Sequence, residues 1–138
     1  MSGTIDLWFV ILSLPIICYG LYFIMTVEMP DIDSDRASGR SNLLVNFGLR
    51  IGTMTALFAT GMATILFFII AYSGVLGRTI DFWYLALFSL VPLSMAGYGA
   101  LRDLRQREQL LSQVRLNFIA MMGFLVLVTV ISGMAIWA

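Results

Sequence analysis

Residues 51–77, IGTMTALFATGMATILFFIIAYSGVLG, form a run without a single charged side chain. Three similar runs surround it in the sequence, at residues 7–27, 82–101 and 116–138. A helix of about 20 apolar residues is long enough to cross the hydrocarbon core of a bilayer, where backbone polar groups must bond to one another. The sequence therefore predicts an all-α membrane protein, a single domain with four transmembrane helices.

The composition agrees with a membrane protein and excludes several kinds of site. Of the 138 residues, 60% are hydrophobic and 12% charged, and the mean hydropathy is +0.95. Eight basic and eight acidic residues balance, so no nucleic-acid partner is expected. The chain has no histidine and a single cysteine, Cys18, so it cannot by itself build an imidazole-based catalytic site, an internal disulfide or a cysteine zinc site. A metal ion would have to be held by carboxylates.

The arginines predict how the helices are oriented. Seven of the eight lie in two loops, residues 28–50 and 102–115, and only Arg78 lies in the loop between them. Because basic residues accumulate on the cytoplasmic side, both arginine-rich loops are expected in the cytoplasm and both termini on the outer face. Loop 102–115 mixes leucines with charges and is expected to form an amphipathic helix. That helix either caps two spans at the headgroup level, or acts over the membrane opening as a lid or as an arginine contact to an anionic substrate.

Two features inside the spans concern helix packing. Pro15 and Pro92 are expected to bend or break the first and third helices, either as simple packing kinks or as kinks that open a cavity. Small residues at helical spacing, such as Gly52 and Ala56, would let helices approach closely, within the chain or in a dimer.

The loop that follows the first span contains half of the acidic residues of the chain. Asp31, Asp33 and Asp35 alternate there and repel one another unless a cation lies between them. If the segment is helical from Pro30, Asp31 and Asp35 lie on one face, four residues apart. Mg²⁺ binds proteins through one or two carboxylates and completes its shell with water and phosphate oxygens. The pattern therefore predicts a Mg²⁺ site with Asp31 and Asp35 as ligands and Asp33 as a weaker one.

Basic and polar residues follow the aspartates. Arg36 and Arg40 can contact the phosphates of a Mg²⁺-bound diphosphate, with Asn42 as a further polar group. An alternative is a solvated acidic loop with surface ion pairs, including one between Arg36 and Asp33. An EF-hand calcium loop does not fit, because Arg36 stands where the loop needs glycine and Asn42 where it needs glutamate.

The stretch PDIDSDRASGRSNL, residues 30–43, followed by Gly48, resembles the second aspartate-rich motif of the UbiA superfamily of intramembrane prenyltransferases. That motif has two aspartates four residues apart, then arginine, glycine, a basic residue, a polar residue and leucine, with another glycine a few positions later. It follows a transmembrane helix on the cytoplasmic side, as expected here, and three more helices follow it. The likeness covers about twenty residues.

The resemblance implies Mg²⁺-dependent transfer of an isoprenoid from a prenyl diphosphate to a lipophilic acceptor, in contact with membrane lipid. Asp31 and Asp35 would be the catalytic metal ligands, and Arg36, Arg40 and Asn42 would bind the diphosphate. The chain would correspond to the C-terminal part of a nine-helix bundle. Nothing in it resembles the first aspartate-rich motif of the family. It would therefore be half of a split enzyme, a fragment or a degenerate relative, inactive alone and completed by a second chain or a homo-oligomer.

A different class of function competes with this one. The chain can also be a small non-catalytic membrane subunit that docks onto a larger complex through its helices and its acidic loop. An enzyme subunit needs the carboxylates at 31 and 35 to bind metal, whereas a docking loop needs only the charge.

Overall fold

The computed structural model describes the backbone of residues 7–74 and 82–137 and the side chains of residues 10–74 and 82–131. Seven helices are found there: α1 (Leu7–Glu28), α2 (Ile32–Ala37), α3 (Leu43–Phe47), α4 (Leu49–Ser73), α5 (Phe82–Phe88), α6 (Leu90–Leu101) and α7 (Arg107–Trp137). A 3₁₀ turn, Met29–Asp31, joins α1 to α2. Four stretches are long and apolar enough to cross a membrane, as predicted. Arg78 and the predicted end of the second span, at 75–77, lie outside the described residues.

The central helix of the bundle is α4. It packs against α1 over the most extensive interface and also contacts α5 and α6, whereas α7 packs mainly against α6. The buried face of α4 carries small residues at helical spacing, among them Gly52, Ala56, Ala59 and Ala63. Because larger side chains there would hold the backbones apart, these small residues allow close packing inside the bundle.

The two prolines within the spans have different effects. Helix α1 continues through Pro15. The third span is interrupted at Ser89, one turn before Pro92, whose ring nitrogen has no hydrogen to donate. At the interruption, the Ser89 carbonyl oxygen accepts hydrogen bonds from the Leu93 backbone N–H and from the Thr64 hydroxyl, each at 3.3 Å. The second of these bonds ties the break in the third span to α4.

The boundaries of two spans differ from the sequence expectation. The prediction of a helix over residues 102–115 was wrong for its first part, since residues 102–106 are not helical. Helix α7 begins at Arg107 and runs unbroken into the fourth span. Locally, the Asp103 carboxylate accepts a hydrogen bond from the Arg105 backbone N–H at 3.2 Å, a turn that competes with helix. The second span, expected from 51, begins at Leu49 and ends at Ser73, because Gly74 adopts a left-handed φ of 59°.

Aromatic rings occupy the middle of the bundle. Tyr19 on α1 stacks on Phe124 of α7 with 4.8 Å between ring centroids, and Phe67 of α4 lies 6.3 Å from Tyr19 and 5.8 Å from Phe124. All three are buried. They join three helices that are distant in sequence, so they hold α1, α4 and α7 together.

Candidate functional site

The acidic loop predicted from the sequence lies where α1 ends and α4 begins. Its backbone turns are set by Gly39, at φ 74°, and Gly48, at φ 84°, both in the left-handed region that favours glycine. Two short helices, α2 and α3, lie between the two spans. Residues 28–48 are therefore a folded segment that connects α1 to α4, and we call them the acidic loop.

Asp35 is the best-connected acid of this loop. Its Oδ2 accepts a hydrogen bond from Nδ2 of Asn42 at 3.0 Å, and its Oδ1 lies 3.5 Å from Nη1 of Arg40. The Asp35 backbone carbonyl accepts from the Arg40 N–H at 2.9 Å and from the Ser38 hydroxyl at 3.1 Å. The side chain of Asp35 is 13% exposed, against 77% for Arg40. Asp35 thus holds the turn between α2 and α3 closed.

Asn42 extends this contact into α3. Its backbone is extended, with φ −135° and ψ 177°, and its Oδ1 accepts a hydrogen bond from the Val45 backbone N–H at 2.8 Å. This is N-cap geometry, in which a side-chain oxygen satisfies an amide that has no partner within the helix. One side chain therefore caps α3 and restrains Asp35.

The remaining predicted site residues lie on the surface of the acidic loop. Asp31, Asp33 and Arg36 are exposed, and no ion pair joins Arg36 to Asp33 among the described side chains. The structure thus brings Asp35, Arg40 and Asn42 together and leaves the other three outside that contact.

No group of three or more acidic or cysteine side chains able to hold a metal ion is found in the described part of the chain. A Mg²⁺ ion held by Asp31 and Asp35 would compete with Asn42 and Arg40 for Asp35.

Two buried apolar side chains anchor the acidic loop to the bundle. Met29 in the 3₁₀ turn and Leu44 in α3 are both fully buried. Leu44 packs on Gly52 of α4, where an added Cβ would collide with its Cδ2. The loop is therefore fixed to α4 by packing as well as by hydrogen bonds.

A second polar cluster, which the sequence reasoning missed, lies inside the bundle. Nε2 of Gln113 on α7 donates hydrogen bonds to the Met95 carbonyl oxygen at 2.8 Å and to Oδ1 of Asn117 at 2.9 Å. The Tyr22 hydroxyl donates to the Asn117 carbonyl oxygen at 3.3 Å, and Nδ2 of Asn117 lies 3.4 Å from the Thr26 hydroxyl. These side chains are buried, so the cluster joins α1, α6 and α7. The available signal was two amides four residues apart, at 113 and 117, in a largely apolar helix.

An apolar cavity of about 290 Å³ lies beside the aromatic rings that join α1, α4 and α7. Its lining includes Tyr19, Phe67, Phe82 and Phe124 from four helices. Its size and apolar walls suit part of a hydrocarbon chain. It is separate from the acidic loop, since none of its lining residues belongs to residues 28–48.

The geometry of the acidic loop thus shows a carboxylate engaged by its own chain, with other charged groups exposed around it. Comparison with known proteins adds no family to this description. The chain matches no protein-family model, no curated protein and no solved structure.

Proposed function

We propose that this chain is a small non-catalytic subunit of a larger membrane complex, and that its acidic loop is the surface that contacts the partner. The observation that carries this proposal is the engagement of Asp35. Its two carboxylate oxygens face Asn42 and Arg40, and Asn42 in turn caps α3. In the loop, this acid therefore has a structural role.

The exposed groups of the loop are those of a recognition surface. Asp31 and Asp33 are exposed on a segment whose shape is fixed by Asp35 and Leu44. Phe47, at the end of α3, is 68% exposed. Protein interfaces commonly combine a buried aromatic anchor with charges at the rim, which steer the partner. Because Arg36 and Arg40 are exposed beside the aspartates, the complementary surface would carry both basic and acidic groups around an apolar recess.

The size of the native assembly tests this proposal. Membranes from the source cells, carrying a tagged chain, are solubilised in a mild detergent and separated by native electrophoresis. We expect the wild-type chain in an assembly larger than its own 15.4 kDa. The double variant Asp31→Asn with Asp33→Asn should migrate as the free chain with unchanged thermal stability, because both side chains are exposed.

The matched control removes two other acids at the same end of the bundle, Asp103 and Glu108, which are also exposed. The variant Asp103→Asn with Glu108→Gln should stay in the assembly. A wild-type chain that migrates alone, or equal behaviour of the two double variants, would contradict the proposal.

A second candidate is the prenyl transfer implied by the family resemblance, with the chain as half of a split enzyme. The apolar cavity beside Tyr19 and Phe124 favours it, because an isoprenoid tail needs a dry apolar chamber. The test is calorimetric binding of a prenyl diphosphate with and without Mg²⁺. Asp31→Asn should abolish the Mg²⁺-dependent part, whereas Glu108→Gln should leave it unchanged. Binding that is independent of Mg²⁺ or of Asp31 would remove this candidate.

A further inference from the structure

We propose that a cavity between the start of α4 and residues 100–105 binds a phosphate group, either the headgroup phosphate of an anionic membrane lipid or a free phosphate. The cavity measures about 450 Å³. It is lined by Arg50 and Thr53 on α4 and by Arg102, Asp103 and Arg105 in the loop after α6. This inference does not depend on the proposed docking role.

The charges of the lining favour an anion. Three arginines face one aspartate, and that aspartate is already engaged by Arg105, whose Nε lies 3.6 Å from its Oδ1 and whose backbone N–H donates to it at 3.2 Å. Arg50 has no acidic partner within ion-pair distance among the described side chains. Two arginines, Arg50 and Arg102, are therefore left without a counter-charge in the cavity.

The geometry of these arginines suits phosphate. The guanidinium of Arg102 lies over the ring of Tyr98, 5.4 Å from its centroid, which restricts its orientation. Planar guanidinium groups bind phosphate oxygens through paired hydrogen bonds. Arg50 lies in the first turn of α4, a helix of 25 residues without a side-chain cap, so the positive end of the helix dipole adds to the field.

The position of the cavity along the spans also suits a lipid phosphate. It is at the end of two membrane-spanning stretches, and apolar side chains complete its wall. One of them, Leu101, is 90% exposed. Basic pockets between transmembrane helices at this depth are suited to anionic headgroups. A volume of about 450 Å³ accommodates a phosphate together with its substituent.

Binding experiments with two arms test the proposal on the purified chain in detergent. In the lipid arm, native mass spectrometry compares phosphatidylglycerol with phosphatidylcholine of the same acyl chains. In the soluble arm, calorimetry measures inorganic phosphate and pyrophosphate. The test variant is Arg50→Gln with Arg102→Gln, and the matched control is Arg107→Gln with Arg115→Gln, two exposed arginines of α7 outside the cavity.

We expect phosphatidylglycerol to bind more tightly than phosphatidylcholine. The test variant should lose about fivefold in affinity per arginine, and the control variant should bind like the wild type. Asp103→Asn should increase the affinity, because it removes the negative charge and keeps an oxygen that can accept from the Arg105 N–H. The same arginine dependence for pyrophosphate without lipid binding would assign the cavity to free phosphates. Failure of both arms, or equal losses in the test and control variants, would overturn the proposal.

Discussion

The side-chain amide of Asn42 and the carboxylate of Asp35, seven residues apart, share a hydrogen bond of 3.0 Å that closes the acidic loop. The other end of the Asn42 side chain caps α3 through Val45. One residue therefore couples the turn that holds Asp35 to the helix that packs on the bundle. A substitution at position 42 can remove the bond to Asp35 while it keeps the cap of α3.

Replacing Asn42 by aspartate should keep the cap and destroy the bond to Asp35. The new carboxylate would lie beside another carboxylate, and like charges that close repel. We expect Asn42→Asp to lower the free energy of unfolding by about 1–2 kcal/mol at neutral pH, comparable with the loss of an N-cap. Thermal unfolding in detergent measures this loss.

The control for this substitution is Asn46→Ala in the same loop. Among the described residues, the Asn46 side chain has its hydrogen bonds with the exposed Ser41 hydroxyl, at 3.0 Å and 3.3 Å, so we expect a change within about 0.5 kcal/mol. Equal stability of Asn42→Asp and the wild type at neutral pH would show that the bond to Asp35 contributes nothing.

Gly99 on α6 leaves room for the buried Gln113. A Cβ at position 99 would lie 2.7 Å from Nε2 and 2.8 Å from Cδ of Gln113, so Gly99→Ala must displace that side chain from its two partners. We expect a loss of about 1–3 kcal/mol, typical of overpacking, in the same unfolding assay. Gly123→Ala is the matched control, since nothing lies within 4 Å of its added Cβ. It should be neutral or stabilising by up to about 1 kcal/mol.

The mechanism can be checked by a double variant. In the Gly99→Ala background, Gln113→Ala should cost less than it does alone, because the two changes act on one contact. Additive losses would indicate that Gly99→Ala acts elsewhere, for example on the backbone of α6.

Gly52 makes the corresponding space for Leu44. Gly52→Ala should push Leu44 out of its buried position and loosen α3 from α4. We expect trypsin to cleave the acidic loop at Arg40 several times faster than in the wild type, because local opening exposes the backbone. Gly61→Ala, whose Cβ would meet only Leu93 at an ordinary 3.9 Å, should leave the cleavage rate unchanged. Relief of the Gly52→Ala effect by Leu44→Ala would identify Leu44 as the displaced group.

The orientation expected from the arginines is open to direct measurement. After Cys18→Ala, single cysteines are introduced at Ser38, Gln106 or Ser73, all of which are exposed. An impermeant maleimide should label position 73 in intact cells and positions 38 and 106 only after lysis. The reverse pattern would invert the topology and place the arginine-rich loops outside.

The sequence predicted the four spans because charge-free runs of that length have few other folds available. It did not tell the two prolines apart, since Pro15 and Pro92 look alike in sequence, whereas α1 continues through the first and the third span is interrupted one turn before the second. The difference between them is a tertiary contact, in which the Thr64 hydroxyl on α4 donates a hydrogen bond to the Ser89 carbonyl oxygen. The predicted helix began too early because the leucine pattern continues on both sides of the turn that Asp103 forms.

In the acidic loop, three residues that were predicted from the sequence to bind a ligand do come together, namely Asp35, Arg40 and Asn42. In the structure they contact one another. Asn42 before two leucines is a recognisable N-cap signal, which would have favoured the structural role. In the second cluster, Asn117 contacts Tyr22 and Thr26, which lie more than ninety positions away in the sequence. No local sequence pattern predicts contacts of that separation.

The central place of α4 bears on how the protein is made. Its most extensive partner is α1, the span that precedes it in the chain, so α1 leaves the ribosome before α4. The first two spans can therefore pair as a hairpin while the rest of the chain is still being synthesised. The later helices can then add to an existing surface, so this architecture permits assembly in the order of translation.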